Sequence, residues 1–267
     1  MSPKISIITP VFNGVRFIEY CIRNVIDQNC PDVEHIIVDG GSTDGTVAVI
    51  KSRAEANGHI KWISETDSGQ SDAMNKGCKM ANGPILGFLN VDDYYESGAL
   101  NYVSDLFDHL PEPSLLVGNC NIWDNDGTLW FVSTPSRISL KNLLLGRFIE
   151  SFPMNSSGYF YHKSLHEKIG LYEINEHYGM DVHFIIKSVQ QAHVRYVDRI
   201  LGNYRYLEGT KTYEDDKSGR TGPRVKHIID QYRKRQSFKF RLNLAVVESW
   251  GRVLMLVQRT LTILRRR

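Results

Sequence analysis

Two short strings, Val38-Asp39-Gly40-Gly41-Ser42-Thr43-Asp44-Gly45-Thr46 and Phe88-Leu89-Asn90-Val91-Asp92-Asp93, each place carboxylates directly after a run of apolar residues. Ile36-Ile37-Val38 and Ile85-Leu86-Gly87-Phe88-Leu89 read as short strands covered on both faces. Acids at their carboxyl ends should project into one crevice, the place where an open α/β sheet binds ligands. Carboxylates converging there point to a divalent cation and a phosphate-bearing ligand.

Two further segments carry chemistry. In Glu65-Thr66-Asp67-Ser68-Gly69-Gln70-Ser71-Asp72-Ala73-Met74-Asn75-Lys76-Gly77, Asp67 follows a strand while Asp72, Asn75 and Lys76 fall on the first turns of a helix, whose N-terminus favours anions and hydroxyls. Lys76 also reads as a surface lysine and Met74 as core. Asp181 opens a second helix with core-facing Val182, Phe184, Ile185, Ile186 and Val189, so it is a candidate base or a cap. His177 and His183 lie close by as acceptor contacts or as packed histidines.

Elements able to position these residues alternate along the chain. Lys4–Pro10 is a strand stopped by Pro10, and Val15–Gln28 has a helical stripe of Phe17, Ile18, Cys21, Ile22, Val25 and Ile26. Asp39, Gly40 and Gly41 then turn into a helix capped by Ser42, Thr43 and Asp44 that ends near Gly58. Ile60–Ile63 is a strand, Ser71–Ala81 a helix closed by Asn82-Gly83, and Ile85 starts the next strand. This order predicts right-handed crossovers and a largely parallel sheet. Past residue 115 the pattern loosens to strands at Leu115–Val117 and Tyr159–Tyr161 and a helix from Asp181 to Gln191. The polar stretch Glu208 to Gly222 is expected as a loop.

Composition is that of an ordinary globular chain, with 267 residues, 42% hydrophobic and 23% charged. Cys21, Cys30, Cys78 and Cys120 lack metal-ligand or paired spacing, so reduced thiols are expected. No basic, apolar or cleavage region opens the chain, and the catalytic part is expected to stay unexported. Charge is unevenly spread. From Arg224 onward twelve Lys and Arg face only Asp230 and Glu248, which leaves +10 there and −8 on residues 1–223 of a chain whose total is +2. An acidic body argues against nucleic acid, and a basic tail argues for an anionic surface.

Thr9-Pro10-Val11-Phe12-Asn13, Asp39 with its Gly-Ser-Thr-Asp-Gly-Thr, Asp67-Ser68-Gly69 with Asp72 to Gly77, Asn90-Val91-Asp92-Asp93 and Gly179-Met180-Asp181 stand in an order that resembles the inverting family 2 nucleotide-sugar glycosyltransferases of GT-A fold. The resemblance covers about residues 4–206. It implies an α/β fold: one Rossmann-like GT-A domain, of the nucleotide-diphospho-sugar transferase type, with a mostly parallel central sheet over residues 1–222. Its donor half would run to about 115 and its acceptor half over 116–222, with a basic amphipathic helical tail over 223–267.

The same resemblance implies roles. Pro10 and its neighbours Thr9 and Asn13 would wall the base, and Asp39, which can only accept, would select a base bearing an N–H, a uracil-like or guanine-like edge. Asp67, Asp72, Asn75 and Lys76 would face the nucleotide sugar. Asn90, Asp92 and Asp93 resemble the Asp-x-Asp signature with Asn in the first place, which leaves one anionic ligand fewer for Mn²⁺ or Mg²⁺. Asp92 is the expected principal ligand, and Asp93 a ligand or a holder of water. Asp181 matches the relatives' general base, and Arg205, in the Tyr204–Thr212 region, would pair with phosphate.

The Gln-x-x-Arg-Trp motif of processive synthases is missing, which favours transfer of a single sugar. A UDP-sugar donor and a lipid-linked or growing glycan acceptor, as in polysaccharide or lipopolysaccharide assembly, are the expected substrates. The alternative is a GT-A-like binding module without catalysis. Leu242, Val246, Trp250, Val253, Val257, Leu261 and Leu264 recur every three or four residues opposite Arg241, Glu248, Arg252 and Arg259. That pattern predicts an amphipathic helix lying on an anionic membrane, with Arg265-Arg266-Arg267 on headgroups. The expected location is cytoplasmic, peripheral on the inner membrane's cytoplasmic face. The alternative is a helix packed on the body or in a homodimer interface.

Overall fold

A computed structural model describes residues 2–146, 152–176 and 178–250. Strands β1 (Ile5–Val11), β2 (Val33–Asp39), β3 (Ile60–Ser64) and β4 (Ile85–Phe88) run parallel in the order β3-β2-β1-β4. The helices between them are α1 (Val15–Asp27), α2 (Thr46–Ala56) and α3 (Gln70–Met80). Because β1 lies between β2 and β4, chain direction along the sheet reverses there, and the carboxyl ends of all four strands share one edge.

Beyond β4 the sheet becomes mixed. β5 (Tyr94–Tyr95), helix α4 (Ala99–Phe107), β6 (Ser114–Trp123), β7 (Leu129–Ser133), helix α5 (Leu140–Leu145), β8 (Tyr159–His162), helices α6 (Leu165–Ile169) and α7 (Met180–Ser188) and β9 (His193–Arg205) follow in turn. β8 joins β4 antiparallel, β6 joins β8 antiparallel, and β9 joins β6 parallel. The fold is thus α/β with a mostly parallel central sheet.

The alternation of side chains across β1 builds two cores. Ile5 and Ile7 join Cys21, Val25 and Leu100 on one face, while Ile8 joins Met74, Phe88 and Tyr161 on the other. Each buried isoleucine contributes about 1.5–3 kcal/mol. α3 lies close against β1 because Gly77 has no side chain: a Cβ there would stand 2.3 Å from Ile8 Cγ2. The four cysteines are buried and free.

The stretch expected as a loop, Glu208 to Gly222, is instead mostly helical, with α8 (Lys211–Lys217) running into α9 (Thr221–Lys234). Its order comes from ion pairs rather than an apolar stripe. Buried Asp215 accepts from Arg224, at 3.0 Å for one of two bonds, and from Thr221 Oγ1 at 3.1 Å. Periodicity cannot register that kind of order.

Residues 238–250 are also helical. Leu244 is buried, with Phe240 and Val247 packed against the same core as Ile228, Ile229 and Tyr232, and Glu248 accepts from Arg233. The expected stripe of Leu242, Val246 and Trp250 faces outward, extended backward by Phe238. Val253, Val257, Leu261, Leu264, Arg252, Arg259 and Arg265 to Arg267 lie outside the described residues. Among the described residues no helix is long and apolar enough to cross a membrane.

Candidate active site

The parallel register sets Val11 beside Asp39 and Asp39 beside Ser64 at the carboxyl edge of the sheet. Asp39 is fully buried. Its Oδ2 accepts from the Gly41 and Ser42 amides, each at 3.0 Å, and from Ser64 Oγ at 2.7 Å. Its Oδ1 is buried and has no hydrogen-bond partner among the described residues. A buried acceptor left unmade costs about 1–3 kcal/mol, so the atom is suited to a donor brought by a ligand.

Neighbouring residues fix that corner. A Cβ at Gly40 would come within 2.7 Å of Asp67 Oδ2, so only glycine lets Asp67 lie against the Asp39 turn. Asp67 Oδ1 accepts the Gly69 amide at 2.8 Å, shaping the entry to α3. Asn13, at φ 49°, accepts the Thr43 amide at 3.0 Å while its own N–H donates to Ser42 Oγ at 2.7 Å. Asp44 accepts the Val15 and Thr46 amides and caps both α1 and α2. Thr9 and Pro10 are buried within β1, and Thr9 Oγ1 is bonded to His35 Nε2 at 2.9 Å.

At the end of β4 the adjacent acids Asp92 and Asp93 differ sharply. Asp93 is completely buried; its Oδ2 accepts from Asn90 Nδ2 at 2.9 Å and Asn155 Nδ2 at 2.8 Å, and its Oδ1 accepts the Arg205 amide at 3.1 Å. Asp92 is half-buried, and its carboxylate accepts from no side chain among the described residues. Burial raises both carboxyl pKa values, and the proximity of Asp92 raises that of Asp93 further. Arg205 Nε donates to the Asp92 carbonyl, and its guanidinium rests over the rings of Phe17 and Tyr20 at 5.3 and 5.5 Å. Asn90 Oδ1 accepts from Gln70 at 3.1 Å, tying this turn to α3. Asn155 is absent from the sequence-based set: a lone Asn in Asn-Ser-Ser-Gly gives no signal, and its partner lies 62 positions away.

Along α3 the polar residues are largely committed. Asn75 is buried and exchanges two bonds with the Tyr172 backbone, at 2.8 and 2.9 Å. Lys76 pairs with Glu65 at 2.8 Å and Asp72 at 3.5 Å, and Asp72 also accepts the Ser68 amide at 3.1 Å.

Asp181 stands at the start of α7, exposed to solvent although protein surrounds it closely, and that desolvation raises its carboxyl pKa. Its Oδ1 accepts the adjacent Val182 amide at 2.8 Å. Its charge is felt by Tyr159, Tyr172 and Lys211, and Lys211, lowered by burial, is pulled back up by Asp181. His183 is packed between Tyr232, at 3.1 Å, and Glu176, at 3.9 Å; His177 lies outside the described residues.

A divalent cation fits this donor set. No cluster of three or more His, Cys, Asp and Glu exists among the described residues. Asp92 alone offers an open carboxylate beside a buried, pre-bonded acid. Mg²⁺ commonly takes one or two carboxylates and completes its shell with water and substrate phosphates, which matches one open acid.

Residues 6–170 match the family model described as glycosyl transferase family 2. Over its whole length the chain is 29% identical to a PGL/p-HBAD biosynthesis glycosyltransferase of Mycobacterium bovis, spanning 99% of that protein. It is 34% identical over 105 residues to an uncharacterised glycosyltransferase, EpsJ, of Bacillus subtilis, covering 39% of this chain and 30% of that one. In structure it is similar to S. aureus TarS 1-349 in complex with UDP-GlcNAc, with a TM-score of 0.63 at 19% identity, over 79% of this chain and 60% of that one. It is also similar to the mannosyltransferase PcManGT of Pyrobaculum calidifontis in complex with GDP-Man and Mn²⁺, with a TM-score of 0.59 at 17% identity, over 98% of this chain and 81% of that one. At these identities the solved structures establish the fold.

Proposed function

The chain belongs to glycosyl transferase family 2, and on that premise we propose that it moves one sugar, with inversion, from a UDP-sugar to a hydroxyl of a lipid-linked or growing glycan acceptor. The observation that carries the donor assignment is the buried, unpartnered Oδ1 of Asp39 at the carboxyl edge of the sheet. Uracil presents an N–H between two carbonyls, and a carboxylate oxygen accepts it; cytosine presents no N–H at that ring position.

Chemistry then follows the order of the residues across the crevice. Asp181 accepts the proton of the acceptor hydroxyl as that oxygen forms its bond to the anomeric carbon, while the bond to the nucleoside diphosphate breaks on the opposite face. Its raised pKa brings the base nearer the operating pH. Arg205 fixes the Asp92 turn through the carbonyl and sets a permanent positive charge beside the diphosphate. Asp92 would hold Mn²⁺ or Mg²⁺ next to the buried Asp93, and the bound cation would offset charge on the leaving group. Asp67 and Asp72 shape the loop that meets the nucleotide sugar.

The location proposed for the enzyme is an anionic membrane surface, inner face, met by the C-terminal helix. One side of residues 238–250 packs on the body through Leu244, while Phe238, 73% exposed, and Trp250, 65% exposed, lie on the other with basic residues alongside.

The test is a panel of nucleotide sugars scored for Mn²⁺-dependent release of nucleoside diphosphate. Release from a UDP-sugar is expected. Binding of UDP-sugars with no release, with or without glycan acceptors, would contradict the enzyme reading.

A further inference from the structure

The edge strand β7 exposes four consecutive residues, Leu129 to Val132, with Trp130 61% and Phe131 40% accessible. Such a run is costly in water unless something covers it. Trp130 does not stand alone. Its ring lies 5.4 Å from Phe131 and 5.9 Å from Tyr206, and Tyr206 lies 5.1 Å from Tyr213 of α8. Inclined to one another by 71°, 46° and 48°, these rings form a continuous but stepped aromatic shelf.

One end of the shelf adjoins the site described above, and the other lies on the helix that carries Lys211. Tyr206 directly follows Arg205, whose amide and guanidinium hold the Asp92–Asp93 turn. Tyr213 shares α8 with Lys211, which interacts electrostatically with Asp181. The shelf therefore adjoins the Asp92–Asp93 end of the crevice, where the Arg205 amide reaches Asp93 at 3.1 Å and Tyr206 is the next residue.

We propose that this surface is the acceptor subsite and that it takes a neutral pyranose ring, stacked by its C–H face on Trp130 with Tyr206 at its edge; this rests on the reading of Asp181 as the base. The rim selects the occupant. Tyr206 Oη donates to Asp216 at 2.9 Å, Lys217 lies 5.2 Å from the Tyr213 ring centre, and Glu208 and Glu214 sit on the same segment. Carboxylates around aromatic faces suit a hydroxyl-rich sugar, offering acceptors at its edge and apolar rings at its face. They repel an anionic lipid surface, and they are poor neighbours for a bare acyl chain.

Saturation-transfer NMR on the full-length protein tests the assignment, with methyl β-D-glucopyranoside, methyl β-D-galactopyranoside and methyl α-D-mannopyranoside as probes in the presence of UDP and Mn²⁺. Transfer to the protons of one ring face of at least one glycoside is expected. Trp130→Ala should reduce it about fivefold or more, and Trp130→Phe should restore most of it, while calorimetric UDP affinity stays within twofold in both. Equal transfer in wild type and Trp130→Ala, or no transfer from any glycoside in a protein that binds UDP, would overturn the shelf. Failure of the wild type to bind UDP, with ring-face transfer still dependent on Trp130, would overturn the donor reading and leave the shelf standing.

Discussion

The main-chain N–H of Arg205 donates to the carboxylate of Asp93 at 3.1 Å across 112 positions of sequence, and the side chain of the same arginine donates to the carbonyl of Asp92. One residue at the end of β9 thus holds both acids at the end of β4. The consequence is a division of work. Asp93 is spent inside the protein on three N–H donors, and Asp92 is left with an open carboxylate.

Removing the two acids should therefore have opposite effects. Asp93→Ala leaves the Asn90, Asn155 and Arg205 donors unpaired and is expected to cost about 3 kcal/mol or more in urea denaturation. Asp92→Ala is expected to change stability by no more than about 0.5 kcal/mol yet abolish Mn²⁺-dependent UDP binding. Comparable stability losses in the two variants would contradict the assignment.

Asp181→Asn should keep UDP affinity and lower kcat about 10²–10⁴-fold, because it removes the base and little else. Since the base must be ionised and its pKa is raised by its surroundings, wild-type kcat is expected to fall as pH drops through a value above the ordinary carboxylate range. Stopped assays across pH 4 to 8 read both effects, about four units being ample to span the limb. An Asn variant with wild-type turnover would return Asp181 to a capping role.

Stability itself should fall on mild acidification. His35 is buried in β2, and burial, with His59 second, pushes its imidazole pKa down to about 3 from the ordinary 6.5. The folded protein then binds fewer protons than the unfolded chain between those values, and stability is lost as pH falls across that window, by about 1.4 kcal/mol per pH unit. Urea titrations at neutral and mildly acid pH should show this slope in wild type and a shallower one in His35→Gln. Equal slopes would contradict it.

Along the chain, the first half was legible because its elements are punctuated. Apolar runs stopped by Pro10 and Asp39, and the Asn82-Gly83 stop, marked the carboxyl ends of β1, β2 and α3 within one or two residues, and the acids of the crevice stood at strand ends. The second half was not. β9 keeps its alternation of exposed and half-buried positions for only four residues before it breaks down, so no sustained period stands out, and α8 is held by the Asp215–Arg224 ion pair rather than by an apolar face. Asp93 shows the same limit within the site. As a sequence it reads like Asp92, and what buries it are donors far along the chain.

At the C-terminus, the outward stripe should bind anionic vesicles while the inward face holds the helix to the body. Replacing Phe238, Leu242 and Val246 by Ser is expected to reduce co-sedimentation with phosphatidylglycerol vesicles severalfold without lowering the melting temperature, since Leu244 remains in place. Raising salt alone should weaken binding only in part, because apolar burial persists when charge is screened. Full-length protein that ignores anionic vesicles would contradict the membrane role.

If the buried Oδ1 of Asp39 receives a base N–H, calorimetric titration of UDP against CDP in the presence of Mn²⁺ reads that hydrogen bond. Wild-type protein is expected to prefer UDP by about tenfold or more, as one charge-assisted hydrogen bond to a buried group is worth about 1.5–3 kcal/mol. In Asp39→Asn the amide oxygen can keep the Gly41, Ser42 and Ser64 donors while the NH₂ takes the place of Oδ1, so UDP affinity should fall and the preference over CDP should disappear. Equal affinity of the wild type for UDP and CDP, or an Asp39→Asn variant that keeps the wild-type preference, would contradict the account.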